Sequence, residues 1–324
     1  MHYPTDINLL YDAMRKIIQL TAAYAENHDL IGWRQYQYNL RQVKKACRKA
    51  QQMKRSTSRD EAKKSQRDEL IAQAHLDYID LCQPFIARSQ ASLAVPIQNP
   101  SLIDSVITLE IEGFIAHAQR QIDQIDRRVL QGQTIPHEEK VFSLFQPHTE
   151  WISKGKAGVP VELGLKVCVL EDSQGYILHH RVMQQETDNQ IALEMIREAK
   201  RKYPALTACS FDKGFHSPEN QLGLAALLDQ VVLPKKGRCN KKEQERESSP
   251  DFRNSKKKHS AVESGINALE VHGLDRCLDH GLDGFKRYVA LAVVARNIQK
   301  MGSELIRQKR LQEEREKERE RKRA

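Results

Sequence analysis

Apolar residues recur every three to four positions near the start of the chain. Leu9, Leu10, Ala13, Met14, Ile17 and Ile18 form one stripe, which predicts an amphipathic helix. Thr5 or Asp6 is placed to accept hydrogen bonds from its free first-turn N–H groups. Residues 41–68 break this pattern, because basic residues dominate and apolar ones are sparse. That stretch predicts a solvated helix or an exposed arm, and an arm of this kind can track phosphates. Pro96 to Pro100 interrupts the chain. A second stripe then runs through Ile103, Val106, Ile107, Phe114, Ile115, Ala118, Ile122, Ile125 and Val129, and Gly132 and Pro136 end it. Residues 1–132 therefore read as a helical module.

The period changes near Val141. Leu163, Leu165, Val167 and Val169 alternate with other residues, which is strand spacing. Asp172-Ser173-Gln174-Gly175 predicts a turn, and Tyr176 to Met183 the returning strand. Asp188 can cap a helix running to about Lys202, with Pro204 ending it. Leu206 to Phe211 and Val231 to Leu233 read as short buried strands. Between them Ser217-Pro218-Glu219 starts a helix with a cap, a first-turn proline and an acid at the positive dipole end. Residues 235–258 are polar and basic and read as a loop. Two helices follow, at about 259–272 and 284–306, and then a tail, 307–324, in which Arg and Lys alternate with Glu. A hairpin followed by crossover helices predicts an α/β fold, a mixed sheet with helices packed on it. The order is that of an RNase H-like domain over residues 133–306, without an obvious leading strand.

Charge adds a partner class. The chain of 324 residues carries a formal net charge of +9, which favours a polyanion, nucleic acid first. A soluble helical protein with solvated basic faces explains the same number. The six cysteines, Cys47, Cys82, Cys168, Cys209, Cys239 and Cys277, form no C-x-x-C pair, so the sequence predicts neither a zinc site nor a disulfide framework and points to a reducing cytosol. Met-His-Tyr-Pro-Thr-Asp has no signal-peptide character, and the longest apolar run, Tyr288 to Ala295, is short of a membrane span. No histidine pair, His179-His180 included, shows metal spacing. Trp33 and Trp151 are the only tryptophans; for Trp151 a core or hairpin-packing role is expected ahead of stacking on an extruded base.

Two acids stand out. Asp212 directly follows the strand ending at Phe211, and catalytic groups of open α/β sheets collect at the C-terminal ends of strands. Glu263 lies in His259-Ser260-Ala261-Val262-Glu263, at a helix start after a lysine run. Each has an ordinary explanation: a strand-end aspartate caps turns, and a first-turn glutamate complements the helix dipole. Their pairing across a basic insert raises the chemical reading.

Several strings resemble bacterial DDE-type insertion-sequence transposases of the ISNCY or related groups. They are Gln133 to Ser143, His148 to Gly158, Pro160 to Gly164, Phe211-Asp212-Lys213-Gly214-Phe215, His259 to Glu263 and Leu269 to Cys277, spread over most of residues 103–302. The resemblance implies an RNase H-like catalytic fold in which three carboxylates bind two Mg²⁺ or Mn²⁺ ions, with Asp212 the second carboxylate and Glu263 the third. Two hard cations about 3.5–4 Å apart clamp the attacking and leaving oxygens of an in-line displacement at phosphorus, and oxygen ligands suit them. DNA is the implied partner, in a bacterial cytoplasm at the nucleoid. Lys154, Lys156, Lys213, Lys256, Lys257 and His259 are the expected phosphate contacts.

In relatives the string resembling His2-Tyr3-Pro4-Thr5-Asp6 follows a strand reading Asp-Thr-Thr-Val-Val-Glu, whose first Asp is the first catalytic carboxylate. The present chain starts inside that motif, and Asp6 holds a helix-capping position instead. The resemblance thus implies a truncated or split transposase, inactive alone and lacking its central strand. Such a chain would form a homo-oligomer or associate with a complementing N-terminal fragment. The open edges left in the sheet predict marginal folding unless another segment, such as Val141 to Ile152, fills the gap. A non-catalytic DNA-binding or oligomerising remnant is the alternative.

Overall fold

The computed structural model describes residues 3–153, 161–259 and 261–323. The chain forms two compact units, 1–147 and 148–324. It is mainly helical, with a few short strands in small sheets.

The first unit is built on α1 (Asp6–Asn27), α2 (Tyr36–Gln52), α3 (Glu61–Leu93) and α4 (Leu102–Ile125). Thr5 caps α1, its Oγ1 accepting the Asn8 N–H at 3.3 Å, so Asp6 is the first helical residue. The α1 stripe is the centre of the core: Leu10, Ala13, Met14, Ile17 and Ile18 are inaccessible to solvent. They pack with Val43 of α2, Tyr78 and Cys82 of α3, and Ile111, Phe114 and Ala118 of α4. Ile17→Ala is therefore expected to lower the stability of this unit by about 2–5 kcal/mol, read as a shift in its denaturant midpoint. Polar ties fix the helix register. Thr21 Oγ1 donates to Ser89 Oγ at 3.2 Å, and the Trp33 indole N–H donates to Ser92 Oγ at 2.9 Å, which gives that tryptophan its packing role.

The basic stretch 41–68 divides between the end of α2, a connector and the start of α3. The break at Pro96 to Pro100 separates α3 from α4, which opens with a reciprocal Ser101/Asp104 capping box. A five-residue π turn, Asp126–Leu130, ends the long helix. The unit extends past the expected boundary at 132, to Pro147. Ile135 and Leu144 are buried there, and Val141 packs on the same core. Arg127 holds this extension by pairing with Glu139 at 2.6 Å.

Two buried ionisable groups in this unit act oppositely with pH. Burial raises the Asp6 carboxyl pKa against the opposing pull of Arg128, whose guanidinium lies 2.9 Å away. Burial lowers the His75 pKa, while Nδ1 keeps a 2.7 Å contact with the Ile71 carbonyl. A histidine whose folded pKa lies below its unfolded value of 6.5 binds protons more readily when unfolded, so its contribution to stability falls on acidification below about pH 6.5. Urea titrations between about pH 7 and 5 are expected to show this loss in the first unit, with a shallower slope in His75→Gln.

Among the described residues the second unit holds six strands in three pairs. β1 (Glu150–Ser153) and β2 (Val161–Gly164) are antiparallel, with Trp151 opposite Leu163. β3 (Val167–Glu171) and β4 (Ile177–Val182) form the expected hairpin. Asp172 shapes its turn: Oδ1 accepts the N–H groups of Gln174 and Tyr176 at 2.8 and 2.9 Å, and Gly175 takes φ +86°. β5 (Ala208–Ser210) and β6 (Gln230–Val232) are parallel. Among the described residues no single mixed sheet joins the pairs, and β1 pairs with β2 rather than filling a gap. The alternation at 163–169 divides at Leu165-Lys166 into the end of β2 and the start of β3.

α5 (Asp188–Lys202) and α6 (Pro218–Leu227) cover the later strands. Thr187 caps α5 in a reciprocal box with Gln190, displacing Asp188 to the first helical position. Ser217 caps α6, accepting the Asn220 N–H at 3.1 Å. Leu170 and Cys168 of β3 pack on Met183, Ile191 and Met195. Leu170 also reaches the cluster of Ile196, Phe211, Leu224, Leu228 and Leu233, which β5 and β6 line through Cys209 and Val231. The hairpin and the parallel pair therefore share one helical floor without sharing backbone hydrogen bonds.

The stretch 235–258, expected as a loop, carries two helices, α7 (Lys241–Ser248) and α8 (Pro250–His259). A capping box between Asn240 and Glu243 starts α7, and the Lys235 ammonium pairs with Glu243 at 2.6 Å. Phe252 is the one buried anchor of α8, which explains why hydrophobic periodicity missed both. α9 (Ala261–Leu269) runs into a π turn, Glu270–Leu274, where Gly273 adopts φ +100°. α10 (Gly281–Arg323) continues without a break through the charged tail. No helix among the described residues is long and apolar enough to cross a membrane.

Candidate catalytic site

The site is built where β5 ends. Phe211 prolongs the parallel pairing, its N–H donating to the Val232 carbonyl at 2.9 Å, and its ring is buried. The backbone then turns: the Asp212 carbonyl accepts the Phe215 N–H at 3.2 Å, opening a short 3-10 turn, Lys213–Phe215. Phe215 packs back on Phe211, with ring centroids 5.7 Å apart, and anchors the turn. The Asp212 side chain is consequently held outside the core, 79% exposed.

His259, the last residue of α8, reaches this strand end. Its Nδ1 is 2.9 Å from Ser210 Oγ and its Nε2 is 3.2 Å from Asp212 Oδ1. With the ring proton on Nε2, the imidazole donates to the carboxylate and accepts the Ser210 hydroxyl proton. Ser210 and Asp212 are two residues apart, the period that places strand side chains on one face. One histidine therefore bridges both and ties the C-terminus of α8 to the end of β5.

Glu263 follows His259 by four positions and occupies the exposed first turn of α9. Asp212 and His259 thus meet directly, and Glu263 begins the next helix. Lys213 is exposed beside Asp212. Lys256 and Lys257 are exposed in the last turn of α8, where positive charge complements the negative end of the helix dipole. Lys154 and Lys156 lie outside the described residues.

Sequence reading singled out Asp212, Glu263 and His259 but missed Ser210. Its signal was its place two residues before Asp212 on a strand. The histidine's bridging role had no local signal, since its partners are 49 and 47 residues away. Glu171, at the end of β3, was missed as well. Its Oε2 is buried with no hydrogen-bond partner among the described residues, and burial raises its pKa. His179 and Glu198 form a separate pair at 2.8 Å.

The donor chemistry at Asp212 suits a hard cation. His259 engages Oδ1, whereas Oδ2 has no protein partner among the described residues. Magnesium is commonly held by one or two carboxylates, with water and substrate phosphate completing an octahedron. No group of three or more His, Cys, Asp or Glu side chains among the described residues is arranged to hold a metal.

The first unit presents a different chemistry. Lys54, Arg55, Ser56 and Thr57 of the α2–α3 connector face Lys63, Gln66 and Arg67 of α3 across an open cleft. Arg67 Nε donates to the Lys54 carbonyl at 2.8 Å and holds the connector against the helix. Four of these side chains, Lys54, Arg55, Lys63 and Arg67, make the cleft a cationic cradle.

Compared with family models, curated proteins and solved structures, the chain matches none of them.

Proposed function

We propose that this chain carries the RNase H-like catalytic domain of a DDE-type transposase. In this reading Asp212 and Glu263 are two of the three carboxylates for Mg²⁺- or Mn²⁺-dependent cleavage and joining of DNA. Asp212 and Glu263 would hold the divalent ions, which would supply Lewis acidity to the phosphodiester and to the attacking water. His259 is a positioning residue: its hydrogen bond restricts the Asp212 carboxylate to one orientation while leaving Oδ2 for a ligand. Lys213, Lys256 and Lys257 neutralise the phosphate backbone near the strand end. The single observation supporting this reading is the His259–Asp212 contact at 3.2 Å, which links the strand-end acid to the segment leading into Glu263.

The third carboxylate comes, in this proposal, on a strand added between β3 and β5. Each of these strands pairs on one side only among the described residues, and both rest on the α5 floor. A strand edge offers unpaired N–H and C=O groups to such an addition. The test is strand transfer on supercoiled DNA with Mn²⁺, comparing the chain alone with a version extended upstream by an Asp-Thr-Thr-Val-Val-Glu strand. Metal-dependent joining by the extended form alone is the expected outcome. Joining by the unextended chain, abolished by Asp212→Asn, would contradict the need for an added strand, and an extended form with no metal-dependent activity would remove support for the transposase reading.

The second reading is a non-catalytic DNA-binding protein that modulates an intact transposase. The cradle of Lys54, Arg55, Lys63 and Arg67 favours it, because such a surface binds phosphates without any metal.

A further inference from the structure

We infer that α10 is the dimerisation element of this protein and associates with α10 of a second copy as a short parallel coiled coil. The helix has two apolar faces. Val289, Ala292 and Val293 are buried on the inner one, the latter two against Ile177 and Leu269. Asn297 fixes this face further: its Nδ2 donates to the Ile177 carbonyl at 3.0 Å, and its Oδ1 accepts the Ile177 N–H at 2.9 Å. The outer face carries Leu291, Val294, Ile298, Met301 and Leu305, all between 51 and 67% exposed. At 100° per residue the outer set points nearly opposite to the inner one.

The spacing of the outer set identifies its occupant. Steps of three, four, three and four residues place all five side chains at the a and d positions of a heptad, with Leu291, Ile298 and Leu305 at a and Val294 and Met301 at d. This 3.5-residue period matches a second helix supercoiled around the first, whereas packing on a globular surface follows 3.6 and a wider stripe. A heptad seam is self-complementary, so an identical helix satisfies it.

Flanking charge selects the orientation. Glu304 occupies the g position before Leu305, and Lys309 the e position of the following heptad. In a parallel pair g of one helix faces the next e of its partner, so Glu304 of each copy meets Lys309 of the other. Glu304 is currently paired with Arg307 of its own helix at 2.7 Å, an exposed contact that is easily exchanged. Because the inner face already holds the helix formed, association does not bear the entropy of folding it.

The test uses the full chain across a concentration series, by light scattering and sedimentation. A dimer is expected for the wild type, and Ile298→Glu/Leu305→Glu is expected to raise the dimer Kd by at least about 100-fold. Both residues are exposed in the single chain, so its circular dichroism and melting should persist, which separates lost association from lost folding. Glu304→Lys alone is expected to weaken the dimer, and Glu304→Lys/Lys309→Glu to restore it. In Leu305→Cys, oxidation should yield a disulfide joining position 305 of the two copies, identified by peptide mass. A monomeric wild type, a dimer indifferent to the double glutamate variant, or crosslinking of position 305 to the region of 291 instead would each overturn the proposal.

Discussion

Asp212→Asn is expected to abolish metal-dependent DNA strand transfer by the upstream-extended chain, a loss on the order of 10³-fold or more. The substitution keeps the side chain's shape and its ability to accept from His259 but removes the negative charge that holds a divalent ion. Folding should be unaffected, since this carboxylate is largely solvent-exposed and contributes nothing to the apolar core. Glu263→Gln is expected to behave in the same way. His259→Phe should leave residual activity, because it removes the positioning bond and no metal ligand. The measurement is initial rate at saturating Mn²⁺ beside a melt of each variant. Activity within about tenfold of wild type in Asp212→Asn would remove this carboxylate from the chemistry.

Salt should change DNA affinity by a comparable factor. In the proposed reading the cradle at Lys54, Arg55, Lys63 and Arg67 and the exposed lysines at 213, 256 and 257 would meet phosphates rather than base edges. If about six of these cations meet phosphates, affinity for duplex DNA should fall roughly 10³-fold between about 50 and 200 mM salt. Substituting Lys54, Arg55, Lys63 and Arg67 by alanine should flatten the logarithmic slope by about 3–4 and weaken all DNA sequences alike. Fluorescence anisotropy over a salt series reads both. A slope near zero would exclude a phosphate-dominated interface.

Local grammar made much of the fold legible. Thr5 and Ser217 cap helices where their spacing placed them, because a cap needs only an oxygen and the next few N–H groups. The α1 stripe became the core of the first unit for a similarly local reason, as did Phe114, Ile115, Ala118 and Ile125 of α4, whereas Ile103 and Val106 at the start of that helix are exposed. The helices of 235–258 were missed because they bury little, although Asn240 and Glu243 spelled a capping box. The first compact unit continues past 132 because Val141 and Leu144, too widely spaced to show periodicity, pack on its core. Strands were legible as strands, but their pairing depends on neighbours distant in sequence, and three separate pairs replaced the expected mixed sheet among the described residues.

The candidate site divides along the same line. Asp212 was legible from its place at a strand end, and Glu263 from a helix start. The contact of His259 with Ser210 and Asp212 was not, because the histidine lies 49 and 47 residues from these partners and meets them only in the tertiary fold. Asp6 shows the converse. It is the acid nearest the start of the family-like string, but the structure engages it with Arg128 in the first turn of α1. A helix-start aspartate held by a guanidinium is a structural ion pair, not a strand-borne ligand.

The most direct measurement replaces the divalent ion with Fe²⁺ and maps where hydroxyl radicals generated at the bound iron cut the polypeptide. The account predicts two cleavage clusters, one around residue 212 and one around residue 263, competed away by Mg²⁺ and both lost in Asp212→Asn. Cleavage at one cluster only, or at both in spite of Asp212→Asn, would contradict a cation shared by these two carboxylates.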